Sequence, residues 1–282
     1  RGLGERTDVI MVVNYDIKAG KVHVLQIPRD TYVEDVRSNK INAVYGDDKY
    51  GGGINGLAEE IHQDFALTID HYATIKMDGF KALVDAVGGV DMNVPVSFEL
   101  NGVTLQAGPQ HLNGAQAEAI VRERHSYGTQ DIGRLQTQRL FIASLLDKML
   151  SMGKMDLVGL VPTLSKYITT DLTVGEMLGY ADIASSLKMD NMTMHLLPGE
   201  GYQEYKGAPS YYTAHKEETA ALLNEYFRPY SEDVPAEELK CIELAHTITD
   251  FDNNQGVLGS ILGTDSGKSK VDSSSSSSSS ES

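Results

Sequence analysis

Asp8-Val-Ile-Met-Val-Val-Asn-Tyr-Asp-Ile-Lys-Ala-Gly-Lys-Val-His-Val-Leu-Gln-Ile-Pro-Arg-Asp-Thr31 holds two β-rich runs, 9–15 and 22–27, on either side of a turn in which Gly20 supplies the turn residue. The two runs predict a hairpin. Outward from it, sheet and helix signals alternate. A glycine-rich loop at 50–55 leads into Ile54, Leu57, Ile61 and Phe65 at helical spacing, and a strand is expected at 71–77. Asp78 is placed to cap a helix carrying Phe80, Leu83, Val84 and Val87, which Gly88 and Gly89 stop before a strand at 90–94. From Asn113 the pattern is mainly helical, over 113–125, 131–152, 157–164 and 173–187. A strand at 192–197 and a last helix at 213–226 complete the series, and Pro229 is expected to close the folded unit. This mixture predicts one α/β or α+β domain, a central mixed sheet flanked by helices, over residues 1–230. Residues 231–282 read as an acidic, serine-rich disordered tail, because the run from Ser273 to Ser280 has no apolar surface to bury.

Composition narrows the function. Of 282 residues, 24 are Lys or Arg and 40 are Asp or Glu, a formal net charge of −16. Such a field repels a polyanion, so nucleic-acid binding is excluded. Cys241 is the single cysteine, which excludes an intrachain disulfide and a thiolate-clustered metal site. There is no apolar run of roughly 18 residues of the kind a membrane-spanning helix needs. The chain opens on Arg1 with no leader, and reads as a fragment or mature form whose anchor or export signal lies upstream.

Nine arginines are present, and four of them, Arg122, Arg124, Arg134 and Arg139, fall within 122–139 beside only Glu123 and Asp131 as acids. The planar guanidinium fork matches phosphate oxygens, so this patch suits a phosphate or pyrophosphate ligand. A solvated helix face laced with ion pairs has the same composition. A second candidate is Arg6-Thr-Asp8 at the head of one strand with Pro28-Arg-Asp-Thr31 at the end of the next, which hairpin pairing brings together. There Asp can hold a metal ion and Arg meet phosphate, although Pro-Arg-Asp-Thr also reads as a plain turn. The acidic stretch 250–256 resembles a calcium loop, but its glycine is one position late and Ile261 stands where a bidentate Glu is needed. His125 reads as a polar neighbour of the arginines. No nucleophile elbow, P-loop or dinucleotide fingerprint occurs.

Taken in order, Arg6-Thr-Asp8, the strand to Asn14, Pro28-Arg-Asp-Thr31, Lys40-Ile-Asn42, glycines 51–53, Gly88-Gly-Val90, Leu112-Asn-Gly114, Arg122-Glu-Arg124 and Asp131-Ile-Gly-Arg134 form a series that resembles the LytR-CpsA-Psr family over about residues 6–197. The resemblance implies an extracytoplasmic domain on the outer face of the membrane of a Gram-positive-type bacterium, held by an N-terminal anchor. It implies Mg2+-assisted phosphoryl transfer of a glycopolymer, such as teichoic acid or capsule, from a polyprenyl-pyrophosphate carrier to peptidoglycan. Carried over by position, Asp8, Arg29, Arg122 and Arg124 would be catalytic, with Asp8 the metal ligand. Arg6, Asp30, Lys40, Asp131, Arg134 and Gln138 would hold the substrate, Asp30 and Asp131 by supporting the arginines. The second metal-binding Asp of the family's pattern would precede Arg1, and Thr137-Gln138 displaces Arg139 by one step from the usual arginine. A polyprenyl-phosphate-binding scaffold and a pyrophosphate hydrolase share these residues and remain alternatives. A polyprenyl chain also requires an apolar groove, for which Phe80, Val84, Phe141, Leu145 and Leu160 are candidates.

Overall fold

The hairpin forms as the sequence predicts: β1 (Ile10–Asp16) and β2 (Lys21–Ile27) pair antiparallel from Ile10↔Ile27 to Asp16↔Lys21. These come from a computed structural model in which residues 6–123, 131–247, 255–258 and 262 are described. After β2 the chain runs through α1 (Ile41–Val44), α2 (Gly53–Phe65), β3 (Ala73–Ile75), α3 (Met77–Ala86), β4 (Val90–Val94), β5 (Phe98–Leu100), β6 (Val103–Leu105) and β7 (Gly108–Leu112). Then come α4 (Gly114–Arg122), α5 (Asp131–Ser151), α6 (Lys154–Leu164), β8 (Ile168–Thr170) and α7 (Val174–Ala184). Only after these does β9 (Met192–Leu196) lie down parallel to β2. A hairpin of β10 (Gly199–Tyr202) and β11 (Tyr211–Ala214), the helix α8 (Lys216–Phe227) and β12 (Gln255–Val257) complete the fold.

The main sheet has the order β1-β2-β9-β12, with β12 antiparallel to β9, and is therefore mixed. Period-two alternation divides β2 between two layers. Leu25 and Ile27 join Ile10 and Val12 in a core with residues of α1, α2 and α8, while Val22 and Val24 face Met192, Met194 and Ala143 of α5. Burial on both faces is why β2 carries apolar residues at both parities, Val22 and Val24 on one face and Leu25 and Ile27 on the other. A separate core gathers β4, β7, α3, α4 and α5 around Val84, Ile120 and Phe141.

Two local signals explain how α4 is placed. Asn113 and Gln116 form a reciprocal capping box that starts the helix. Gly114 lets it cross α3 closely, since a Cβ there would stand 2.4 Å from the Lys81 carbonyl oxygen. The β5–β6 hairpin turns on Asn101-Gly102, with φ of 51° and 78°, the chemistry of a tight two-residue turn.

Several expectations are corrected. Lys76, not Asp78, stands at the N-cap of α3; Asp78 lies in the first turn and pairs with Lys81 at 2.9 Å. The strand expected at 71–77 shortens to β3, and residues 211–214 are strand, so the last helix starts at Lys216. Pro229 does not close the folded unit. Leu239 and Cys241 are 1% exposed in the core beside α2 and α8, and the backbone of Leu244 bonds the Thr213 hydroxyl at 2.7 Å. Burial pushes the Cys241 thiol up to about 12. The disordered tail expected from 231 is thus overturned for 231–247, where apolar side chains spaced among acids are enough to dock the segment. The serine run, and the acidic stretch to Asn254, lie outside the described residues.

Candidate functional site

Ile10 and Ile27 are register partners, so the chain entering β1 and the chain leaving β2 emerge side by side. Asp8 and Arg29 meet there as an ion pair, Asp8 Oδ1 accepting from Arg29 Nη1. Beyond Arg29 the backbone turns back: Thr31 donates through its amide and its hydroxyl to the Pro28 carbonyl, at 2.9 and 2.7 Å. That turn aims Asp30 inward, where its carboxylate lies 3.0 Å from Lys40 Nζ, 3.7 Å from Arg134 Nη2 and 3.8 Å from Arg29 Nε. One acid therefore positions three cations. Lys40 arrives because the amides of Ile41 and Asn42 bond the carbonyls of Thr31 and Arg29, at 2.9 and 3.2 Å.

The second wall comes from the ends of α4 and α5. Arg122 closes α4, its guanidinium 3.1 Å from Glu118 and 43% exposed. Gln138 of α5 donates to the Val121 carbonyl at 2.7 Å and accepts from Gln26 Nε2 at 3.1 Å, tying α5 to both α4 and the sheet. Asp8, Arg29, Val121, Arg122, Arg134 and Gln138 enclose a cavity of about 250 Å3. A wider groove of about 530 Å3 adjoins it through Arg29, and its lining includes Arg6, Arg37, Lys40 and Tyr211. The two linings hold six cations and two carboxylates, a local positive field in an acidic chain. Forked donors on several sides of a small polar cavity can hold the oxygens of a phosphate or pyrophosphate bidentately. Asp8 fits a magnesium ion as one hard oxygen donor at the cavity edge, since that ion takes one or two carboxylates and completes its shell with water and phosphate.

The sequence matches the LytR_cpsA_psr family over residues 1–228. The chain belongs to the LytR-CpsA-Psr family. It is 33% identical over 213 residues to the polyisoprenyl-teichoic acid–peptidoglycan teichoic acid transferase TagU of Bacillus mycoides (strain KBAB4), covering 73% of this chain and 68% of that protein. The cell wall biosynthesis protein LcpA of Corynebacterium glutamicum is 30% identical over 223 residues, 69% of this chain and 43% of LcpA. The crystal structure of B. subtilis TagV superposes with a TM-score of 0.69 at 27% identity, covering 81% of this chain and 92% of TagV.

In this LytR-CpsA-Psr domain the fold brings Asp8, Arg29, Asp30, Arg122, Arg134 and Gln138 to one place, with Arg6 and Lys40 in the adjoining groove. Arg124 and His125 lie outside the described residues, and Asp131 is described by its backbone alone, at the start of α5. Arg139 is not in the clamp. It is 5% exposed and donates to the Met194 carbonyl of β9 at 3.1 Å, and burial lowers its pKa to about 10. Sequence reasoning missed Arg37 and Tyr211. Arg37 was legible as one of nine arginines three positions before Lys40. Tyr211 was not, because it reaches the groove through backbone bonds at 2.8 Å that join Tyr212 to Asp30 and Tyr32. The proposed groove residues Val84, Phe141 and Leu145 are buried core with Phe80 and Leu160 packed on them; neither cavity opens onto these five, and Val121 belongs to both that core and the smaller cavity.

Proposed function

We propose that this domain transfers an anionic glycopolymer from a polyprenyl-pyrophosphate carrier to peptidoglycan; its relative TagU is named as a polyisoprenyl-teichoic acid–peptidoglycan teichoic acid transferase. The observation that supports this reading is the convergence of Arg29, Arg122 and Arg134 with Asp8 around one phosphate-sized cavity. Phosphoryl transfer spreads charge over equatorial oxygens, so fixed cations supply most of the required stabilisation and no nucleophilic side chain is needed. A sugar hydroxyl of the acceptor attacks the phosphorus joined to the glycan. The new sugar–oxygen–phosphorus bond forms as the pyrophosphate bridge breaks, polyprenyl phosphate leaves, and the hydroxyl proton passes to water. Arg134, 3% exposed, and Arg29 orient the bridging and non-bridging oxygens from the floor, while the more exposed Arg122 meets the phosphate from the mouth.

Asp8 would hold magnesium, which when bound supplies positive charge to the phosphate oxygens. Asp30 keeps Arg29, Arg134 and Lys40 aligned before substrate arrives. The groove of Arg6, Arg37 and Lys40 lies where the remainder of an anionic polymer would emerge. Val121 marks where the carrier's apolar chain would meet the core of α3, α4 and α5. Such a carrier keeps the reaction at the outer face of the membrane; among the described residues no helix is long and apolar enough to cross one. The test is transfer of labelled glycan from a polyprenyl-pyrophosphate donor to peptidoglycan fragments. Transfer that depends on the acceptor and is lost in Arg29→Ala supports the reading. Release of free glycan without any acceptor dependence identifies a hydrolase, and tight carrier binding with neither product identifies a scaffold.

A further inference from the structure

We propose that His215, Glu218 and His246 form a binding site for a divalent transition-metal ion of the zinc type, which fastens the segment after α8 to the body of the fold. His215 is the N-cap of α8 and Glu218 lies one turn further, so the two share a helix face. His246 comes from the docked segment 231–247. One ligand atom from each residue lies within 4.8 Å of the others. His215 is fully buried, Glu218 is half-buried and His246 is exposed, so the cluster is anchored on one side and open to an entering ion on the other.

The surroundings favour a cation. His246 Nδ1 stands 2.8 Å from Glu243 Oε1, and Glu243 Oε2 accepts from the Lys216 amide at 2.8 Å. His215 Nε2 stands 3.3 Å from Glu200, which accepts from the Thr247 amide and hydroxyl. Each imidazole thus has one nitrogen steered by an outer carboxylate, the arrangement that fixes tautomer and ring direction in metal-binding histidines. His246 Nε2 faces Glu218 Oε1 at 3.0 Å, and Glu218 Oε2 is buried with no hydrogen-bond partner among the described residues. Three carboxylates surround two imidazoles, and among the described residues no Lys or Arg ion-pairs with any of the three. An anionic oxygen withdrawn from water needs a compensating charge. Nitrogen donors beside one carboxylate select zinc-like ions over magnesium. The rings of His215 and His246 are stacked with centroids 4.0 Å apart, so the exposed His246 ring turns on binding while the buried one stays.

The consequence reaches the groove, because β11 runs from Tyr211, in its lining, to the residue before His215. The experiment titrates zinc chloride into the untagged, chelator-stripped chain, measuring retained metal after dialysis, the thermal midpoint and the X-ray absorption fine structure of bound zinc. The expected result is one zinc per chain with two imidazole nitrogens in its shell, and a midpoint several degrees higher. His246→Ala and Glu218→Gln should each weaken binding at least tenfold while remaining folded, and Asp8→Ala should leave it intact. Failure of the wild-type chain to retain zinc, or equal affinity in His246→Ala, overturns the proposal.

Discussion

Arg134 and Arg139 stand on the same helix, are equally hidden from solvent, and have opposite roles. Arg134, near the start of α5, faces Asp30 and lines the smaller cavity. Arg139, little more than a turn later, gives its guanidinium to a carbonyl of β9 and lines neither of the two cavities. The difference teaches that residue type and burial do not assign a cation to a site. What assigns it is whether the space in front of the guanidinium is open to a ligand or filled by the sheet.

The strongest way to break this comparison is to remove the site cations. Arg134→Ala and Arg29→Ala should each lower the initial transfer rate by roughly 1,000-fold, the scale for losing a fixed donor at a charged transition state. Loss of less than about tenfold in both would make the two arginines structural partners of Asp8 and Asp30 and not a phosphate clamp. Asp8→Ala comes next, with a rate loss on the order of 100-fold and polyprenyl phosphate affinity kept within about threefold, because the carboxylate serves the transition state more than the bound carrier. Equal loss of binding and rate would instead make Asp8 only a partner of Arg29.

Carboxylates offer the same contrast. Asp8 borders an open cavity, whereas Asp64 is half-buried near Glu60, and desolvation first, with that neighbour's charge second, raises its pKa from 3.8 to about 7 against the pull of Lys49, Lys216 and Lys240. A raised acid binds its proton more readily folded than unfolded, so stability falls as pH climbs from about 4 to 7, and the cost is fully present above that range. Between pH 5 and 8 the wild-type chain should lose roughly 2 kcal/mol relative to Asp64→Asn, measured by chemical denaturation at both pH values. A parallel pH dependence in the two chains would contradict it. The smallest effect sharpens the original pair: Arg139→Met replaces a buried cation by an apolar side chain of similar reach. It should change stability by about 1 kcal/mol or less, in either direction, and transfer by no more than about threefold.

Much of this was legible in the sequence, for reasons that are local. The β1–β2 hairpin, the capping residues Asn113 and Thr173 at helix starts, and the glycine stop of α3 are each decided within a few positions by backbone freedom and side-chain hydrogen bonds. Asn101-Gly102 is an equally local hairpin signal. The docked segment 231–247 was missed because its acidic composition hides Leu239 and Cys241, whose burial depends on packing with residues of α2 and α8 that composition does not reveal.

Local sequence pattern was thus enough for the β1–β2 hairpin, most of the helices, the family resemblance and the short list of cations and acids from which a phosphate site could be built, but not for the short strands β5 to β8 and β10 to β12. Only the tertiary structure decided which of those cations and acids compose the site. Parallel pairing of β2 with β9 closes a crossover that holds α4 and α5, and that closure turns Arg134 toward Asp30 while pressing Arg139 onto β9. The β11 bridge to the exit of β2 likewise brings Tyr211 into one groove with Arg37 and Lys40. Such encounters depend on contacts between residues far apart in the chain, whose free energy is shared by whole layers, whereas caps and turns are set by neighbours a few bonds away.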